Sequence, residues 1–258
     1  MIDTKEDTEI LDWITPFNYG SQQSDYFRRR QAETGLWFLN STEFQEWLKE
    51  NQKTLFCPGI PGAGKTILTS IVVNDLTSRF SGDLSVGIAY VYCNFRQKSE
   101  QRIDDLLASL LKQLAKSCSS LPQCVKDLYN YHKKQGTRPL LDEISRSLQS
   151  VASLYQRVFI VVDAPDECES HDGCRATFMS RIFDLQARAQ VSFLATSRMI
   201  QDIEKNFQDS LRREIKASDE DVCRYIDGHM LHLPQFVSKR QDLQQRIKTE
   251  ITEAVDGM

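Results

Sequence analysis

Nothing in this sequence is long and apolar enough to cross a bilayer. Its longest apolar runs, VGIAYVYC and VFIVV, fall far short of the roughly 20 residues that a spanning helix needs. The opening MIDTKEDTEI is acidic and has no apolar h-region, so no secretory signal is expected. There is no excess of positive charge. Lys and Arg number 32 against 36 Asp and Glu, a formal net charge of −4, which gives no electrostatic footprint for a nucleic acid. There is no disulfide framework either: seven cysteines, an odd count, lie scattered at 57, 93, 118, 124, 168, 174 and 223, as reduced thiols in the cytoplasm do. Internal repeats, low-complexity tracts and Pro-rich linkers are all missing. The expectation is a cytoplasmic protein with no membrane and no nucleic-acid partner.

What remains is ordinary globular composition, 258 residues with 40% hydrophobic and 26% charged, enough for one large α/β domain with a small appendage. Within it stands one strong motif. Phe56 to Thr66 reads FCPGIPGAGKT, which holds the G-x-x-x-x-G-K-[ST] spacing of a phosphate-binding loop. The glycines let the backbone turn back so that successive N–H groups face an anion. The helix that follows, 67–80, offers the positive end of its dipole. Gly59, Ile60, Pro61, Gly62, Ala63, Gly64, Lys65, Thr66 and Ile67 are the candidate phosphate cradle. Lys65 has the reach for the β- and γ-phosphates, and the Thr66 hydroxyl suits Mg²⁺. The alternative is a Gly-rich turn before a helix, but an apolar run precedes the loop and an amphipathic helix follows it.

Periodicity supplies the frame. Residues 54–58, 86–93, 157–163 and 191–196 are short apolar strands of the kind buried on both faces, and 211–216 is a candidate edge strand. Helices are expected at 24–34, from Thr42 (a capping box with Gln45), and at 67–80, 99–116, 121–134, 140–154, 174–188, 219–231 and 238–255. Ser218 with Asp221 can cap the helix at 219. Arg28, Arg29 and Arg30 read as a solvated face. Strands alternating with helices imply right-handed βαβ units and a parallel sheet in an α/β/α sandwich. Residues 1–23 are expected to be weakly structured, 24–217 to form the nucleotide-binding domain, and 218–258 to begin a small helical domain.

Strand 157–163 ends in Asp163, followed by Asp166 and Glu167. The carboxyl edge of an open α/β sheet is where ligands bind. An acid there holds Mg²⁺, and a second one polarises an attacking water. Between Asp166 and Glu167, Glu167 is favoured. Strand 191–196 leads to Arg198, which can contact a γ-phosphate or simply cap the strand end. Arg96 is a weaker candidate on the same argument. Trp37 and Phe38 are core aromatics or, in the functional reading, a wall of the base pocket. Cys168, His171 and Cys174, with His229 and His232, have metal-like spacing, but buried thiols are the commoner fate of such cysteines.

Two absences narrow the nucleotide chemistry. The N/T-K-x-D stretch that reads guanine occurs only at Thr4-Lys5-Glu6-Asp7, upstream of the loop, so ATP or ADP is expected. An LSGGQ-like signature is missing, and residues 121–150 offer few arginines for a kinase lid. A catalytic P-loop ATPase or kinase, and a nucleotide-independent scaffold, remain the alternatives to a regulatory module.

GIPGAGKT, VDAPDEC and ATSR, with SDYFRRRQAETGLWFL upstream, resemble the nucleotide-binding domain of fungal NACHT proteins, the nephrocystin-like N-terminal domain. The likeness runs from about residue 13 to about residue 230. It implies a P-loop NTPase of the signal-transduction type with five strands in the order 5-1-4-3-2. Such a module uses slow ATP hydrolysis as a switch and self-associates through this domain in a longer protein. It also implies that Lys65 and Thr66 are the Walker A pair, Asp163 the Walker B acid, Asp166 and Glu167 the acidic cluster, and Arg198 the γ-phosphate sensor. Pro165 stands where the family has leucine and puts the aim of the two acids in question. The family's winged helix has no counterpart before Met258, so a fragment or truncated product that binds nucleotide reversibly is expected.

Overall fold

The computed structural model describes residues 4–94, 102–168, 173–230, 233, 235–238 and 240–255. Helices α1 (Lys5–Ile14), α2 (Tyr19–Arg29), α3 (Leu36–Leu39) and α4 (Thr42–Lys49) precede β1 (Thr54–Pro58). Helix α5 (Lys65–Arg79) leads to β2 (Val86–Tyr92). Helices α6 (Ile103–Ser117), α7 (Gln123–Gln135) and α8 (Leu141–Ala152) lead to β3 (Arg157–Asp163). Then come α9 (Cys174–Arg188), β4 (Val191–Ser197), α10 (Gln201–Glu204) and β5 (Leu211–Arg212), followed by α11 (Asp219–Met230), α12 (Gln235–Ser238) and α13 (Gln241–Val255). The strands lie in the order β2-β3-β4-β1-β5, all parallel. This is the expected 5-1-4-3-2 order read from the other edge.

Side-chain alternation builds the three layers. In β3, Val158, Ile160 and Val162 join the core formed with α6 to α9, while Phe159 and Val161 join the core formed with α4 and α5. Successive residues of a strand point to opposite faces. A strand covered on both sides must therefore be apolar throughout, and this is why β3 and β4 are readable as continuous runs. Beyond the two paired residues of β5, Arg213 N–H still donates to Phe56 O at 3.0 Å and Ile215 N–H to Pro58 O at 2.7 Å. The chain thus follows β1 up to the loop that carries the motif.

From Thr4 on, the N-terminal stretch is not weakly structured. Thr4 caps α1, its Oγ1 accepting the Asp7 N–H at 3.1 Å, which gives the Thr4–Asp7 match a plain structural role. Ile10, Leu11 and Ile14, on one helical face, are buried in the core shared with α6 and α7. Lys112 Nζ holds Asp12 at 3.0 Å and the Thr15 carbonyl at 2.9 Å, and Glu9 accepts from the Tyr129 hydroxyl at 2.5 Å and Lys133 Nζ at 3.0 Å. Three apolar residues in a polar segment are enough once an apolar face receives them. Helix α2 likewise begins at Tyr19, five residues before the expected start. The cap of α4 also differs: Ser41 Oγ accepts the Phe44 N–H at 3.3 Å, while Gln45 Nε2 turns back to Leu39 O at 2.6 Å.

The edge strand β2 is closed by a side chain. Gln113 of α6 accepts from Tyr90 N–H at 3.1 Å and donates to Tyr90 O at 2.8 Å. Its amide stands in for a neighbouring strand and leaves that peptide unavailable for pairing with another chain. Gln113→Ala is expected to cost about 1–2 kcal/mol, from the two lost hydrogen bonds at a half-buried site. A urea melt of the variant with an unchanged midpoint would show that water replaces the amide at no cost.

Candidate functional site at the carboxyl edge of the sheet

Strand β1 ends at Pro58 and the chain turns into α5 through Gly59 to Gly64. Gly62 (φ +87) and Gly64 (φ +84) are left-handed, and a Cβ on either would meet nothing within 4 Å. Gly59 serves differently. A Cβ there would lie 2.7 Å from the Ile215 carbonyl, so this glycine admits the strand-like segment that continues β5. Gly64 gives α5 no side-chain cap, which leaves the first-turn N–H groups to an anion. Lys65 Nζ donates to Gly59 O and Ile60 O, both at 2.8 Å, and so folds over its own loop. Burial lowers its pKa, against the pull of Asp166 and Asp163.

The loop is fixed to the sheet through Asp163. This carboxylate is 2% exposed. Its Oδ2 accepts from the Thr66 hydroxyl at 2.7 Å, and its Oδ1 from Thr69 at 2.9 Å and Thr196 at 2.6 Å. Burial raises its pKa, and the three hydroxyls, Thr196 foremost, hold it down. Thr66 and Asp163 are therefore already in contact. A hydroxyl and a carboxylate at the mouth of the loop are hard oxygen donors of the kind Mg²⁺ takes while it keeps most of its waters. The two residues fit that ion, and the loop's open, uncapped face fits a phosphate.

Asp166 and Arg198 also meet. Arg198 Nε donates to Asp166 Oδ2 at 2.5 Å and Arg198 N–H to Oδ1 at 3.3 Å. The acid side chain is 1% exposed and the arginine 49%, so the carboxylate is fixed while part of the guanidinium faces solvent. The hydrogen bond to Asp166 is the main cause of the raised Arg198 pKa. Asp166 is thus engaged with Arg198. Glu167 is half-buried, and its N–H bonds the Ala164 carbonyl at 2.8 Å.

Pro165 does not disturb this turn. It opens a short 3₁₀ turn, Pro165–Glu167, at a position where no backbone donor is required, and its carbonyl accepts the Cys168 N–H. The strain lies one residue earlier. Ala164 is left-handed at φ +51, held there by its N–H on Thr196 O and Oγ1, both at 3.1 Å. This kink takes the chain out of the direction of β3 and brings Asp166 across to the end of β4.

Trp37 is half-buried against the α4–α5 core. Its Nε1 donates to Asp221 Oδ2 at 3.1 Å, and the Arg213 guanidinium lies 5.4 Å from its ring centre. Arg96, His171 and His232 lie outside the described residues. Among the described residues no group of three His, Cys, Asp or Glu can hold a metal on its own. The Cys168 and Cys93 sulfurs are instead 3.0 Å apart, and that hydrogen bond together with burial pushes the Cys93 thiol up. A hollow of about 370 Å³ between α6, α8 and α9 lies away from these groups, and one of its arginines, Arg181, is already paired with Asp142 at 2.5 Å. Thr69, Thr196 and the Cys93–Cys168 contact were not foreseen. Thr69 lies one turn beyond Thr66 on α5, and that spacing is the signal by which it could have been found.

The chain is similar to several known proteins. Over 191 residues the chain is 25% identical to the vegetative incompatibility protein HET-E-1 of Podospora anserina, a match that covers 69% of this chain and 13% of that protein's length. Among solved structures, domain III of the Thermotoga maritima replication initiation protein DnaA shares 16% identity at a TM-score of 0.46, over 92% of this chain and 88% of that one. The Walker-type ATPase PABY2304 of Pyrococcus abyssi shares 13% identity at a TM-score of 0.47, over 88% of this chain and 64% of that one. No helix among the described residues is long and apolar enough to cross a membrane. The family profile described as nephrocystin 3, N-terminal, matches residues 33–198, from the segment before Trp37 through the loop and both acids to Arg198, and the chain belongs to that family.

Proposed function

We propose that this chain is a regulatory nucleotide-binding module that holds ATP or ADP with Mg²⁺ and uses slow hydrolysis as a conformational switch. The observation that carries the reading is the meeting of Lys65, Thr66, Asp163, Asp166 and Arg198 on one sheet edge through direct hydrogen bonds and shared charge. Lys65 leaves its loop carbonyls for the β- and γ-phosphates, and backbone N–H groups from Gly59 to Ile67 cradle them. Thr66 and Asp163 hold the ion, which neutralises phosphate charge when bound. Glu167 polarises the attacking water, and Arg198, steadied by Asp166, senses the γ-phosphate. Trp37 borders the base. Adenine is favoured because the one guanine-type match is the cap of α1. In a longer protein the switch would act through self-association in the cytoplasm, with no need of a membrane or a nucleic acid. Seven free cysteines fit a reducing compartment.

Equilibrium binding of ATP and ADP, with and without Mg²⁺, tests this. Lys65→Ala is expected to weaken both nucleotides by roughly 10- to 100-fold, the worth of a charge-assisted bond to phosphate. Equal affinities for ATP and ADP in both proteins would point to a scaffold instead of a switch.

Glu167→Gln separates holding from hydrolysis. It is expected to keep ATP affinity while single-turnover hydrolysis slows by at least ~100-fold, the usual contribution of a general base. Unchanged turnover would remove Glu167 from the reaction, and turnover that requires an added acceptor would favour a kinase.

A further inference from the structure

One carboxylate fastens the helices that follow β5 to the segment that precedes α3. Asp221, in the first turn of α11, accepts from Gly35 N–H at 2.8 Å and Trp37 Nε1 at 3.1 Å on a single oxygen. It is not consumed by capping its own helix: Ser218 Oγ does that, accepting the Asp221 N–H at 3.2 Å. One turn on, Arg224 donates to Glu33 O at 3.0 Å and lies 3.7 Å from Asp221. A further turn on, Gly228 packs so close to Gln31 that a Cβ would come within 2.2 Å of its amide. The other side of this segment rests on α5, where a Cβ at Gly35 would stand 2.8 Å from Ile71 and 3.1 Å from Leu68. Residues 31–37 are therefore held between α11 and the helix that begins at the phosphate loop.

Strand order says what this junction faces. Asp163, Asp166 and Arg198 come from the ends of β3 and β4, on one side of β1. Ile215, Trp37 and α11 gather on the other side, next to β5. A nucleotide with its terminal phosphate at the acids and its base laid on the β5 side of the loop would meet this junction. We propose that Asp221 is a positioning residue for the base: it fixes Gly35 and Trp37 against α11, so that the base wall and the helical unit move as one body. The proposal rests on the nucleotide-binding reading above and assigns the site's adenine end to a contact between the two ends of the domain.

The test compares a ligand that has a base with one that lacks it. Affinities for Mg·ADP and Mg·tripolyphosphate are measured for wild type, Asp221→Ala, Asp221→Asn and Arg224→Ala. Asp221→Ala is expected to weaken ADP about tenfold, the worth of its two hydrogen bonds, and to leave tripolyphosphate unchanged. Asp221→Asn retains an acceptor oxygen and is expected to restore ADP affinity to within about threefold. Asp221→Ala binding ADP as wild type does, or losing both ligands equally, overturns the proposal. If Asp221→Ala no longer melts cooperatively, Arg224→Ala decides: a selective loss of ADP supports the proposal and wild-type ADP binding overturns it. Wild type that binds neither ligand removes the nucleotide-binding reading itself, and the inference with it; wild type that binds both with Asp221→Ala unaffected removes the inference alone.

Discussion

The buried carboxylate of Asp163 is the interaction on which the site depends. Three elements reach it: Thr66 and Thr69 from α5, Thr196 from β4, and its own strand β3. A charge this deeply placed is strongly disfavoured unless every lone pair has a donor, so the three threonines make its burial tolerable. In return the carboxylate fixes the start of α5 to the sheet. The loop's height above the strands is thus set by side-chain hydrogen bonds, with the glycines providing the turn. Hydroxyls suit this role because they rotate at little cost. Thr66 can give its bond with Asp163 to an ion while Thr69 and Thr196 keep the acid in place.

A second consequence follows at the next residue. Thr196 donates to Asp163 and accepts from the Ala164 N–H, so the same hydroxyl that steadies the acid also bends the chain after it. Ala164 lies in the left-handed region, which costs a residue with a Cβ on the order of 1 kcal/mol. The surroundings impose that cost, and the result is to carry Asp166 sideways to Arg198. The ion pair is half in solvent, so its contribution to stability is small. Its effect is directional, since a fixed acid limits where an otherwise mobile guanidinium can point.

Legibility in the sequence divides along the same physical line. Strands buried on both faces announce themselves as apolar runs, and β1 and β3 fall at the expected residues. The phosphate loop is legible because its chemistry forces a spacing. The edge strand expected at 211–216 is there too, although only Leu211 and Arg212 pair as a regular strand before Arg213 and Ile215 carry the bonding on along β1. Helix α1 was missed because its three buried residues are diluted by charge, and only the presence of α6 and α7 turns them into a face. Asp221 was read as part of a helix cap, and its carboxylate instead bonds Gly35, 186 positions away in the chain. Long-range side-chain contacts leave no local periodicity, so sequence reading names the acid without its partner.

The flanks of the loop helix explain why a change at the phosphates would be felt far from them. On one side Gln23 of α2 donates to the Ser70 carbonyl at 2.9 Å, and Tyr92 at the end of β2 donates to the same glutamine. On another, residues 31–37 press Gly35 against Leu68 and Ile71. At the loop itself Gly59 meets Ile215, which leads into α11. Helix α5 is therefore gripped by segments from before β1 and after β5. A packed core transmits a shift of its central helix because its neighbours cannot deform continuously. Among the described residues α2 packs along one flank of α5 and the Gly35 segment along another, and the Asp221 bond ties that segment to α11 on the side away from the acids.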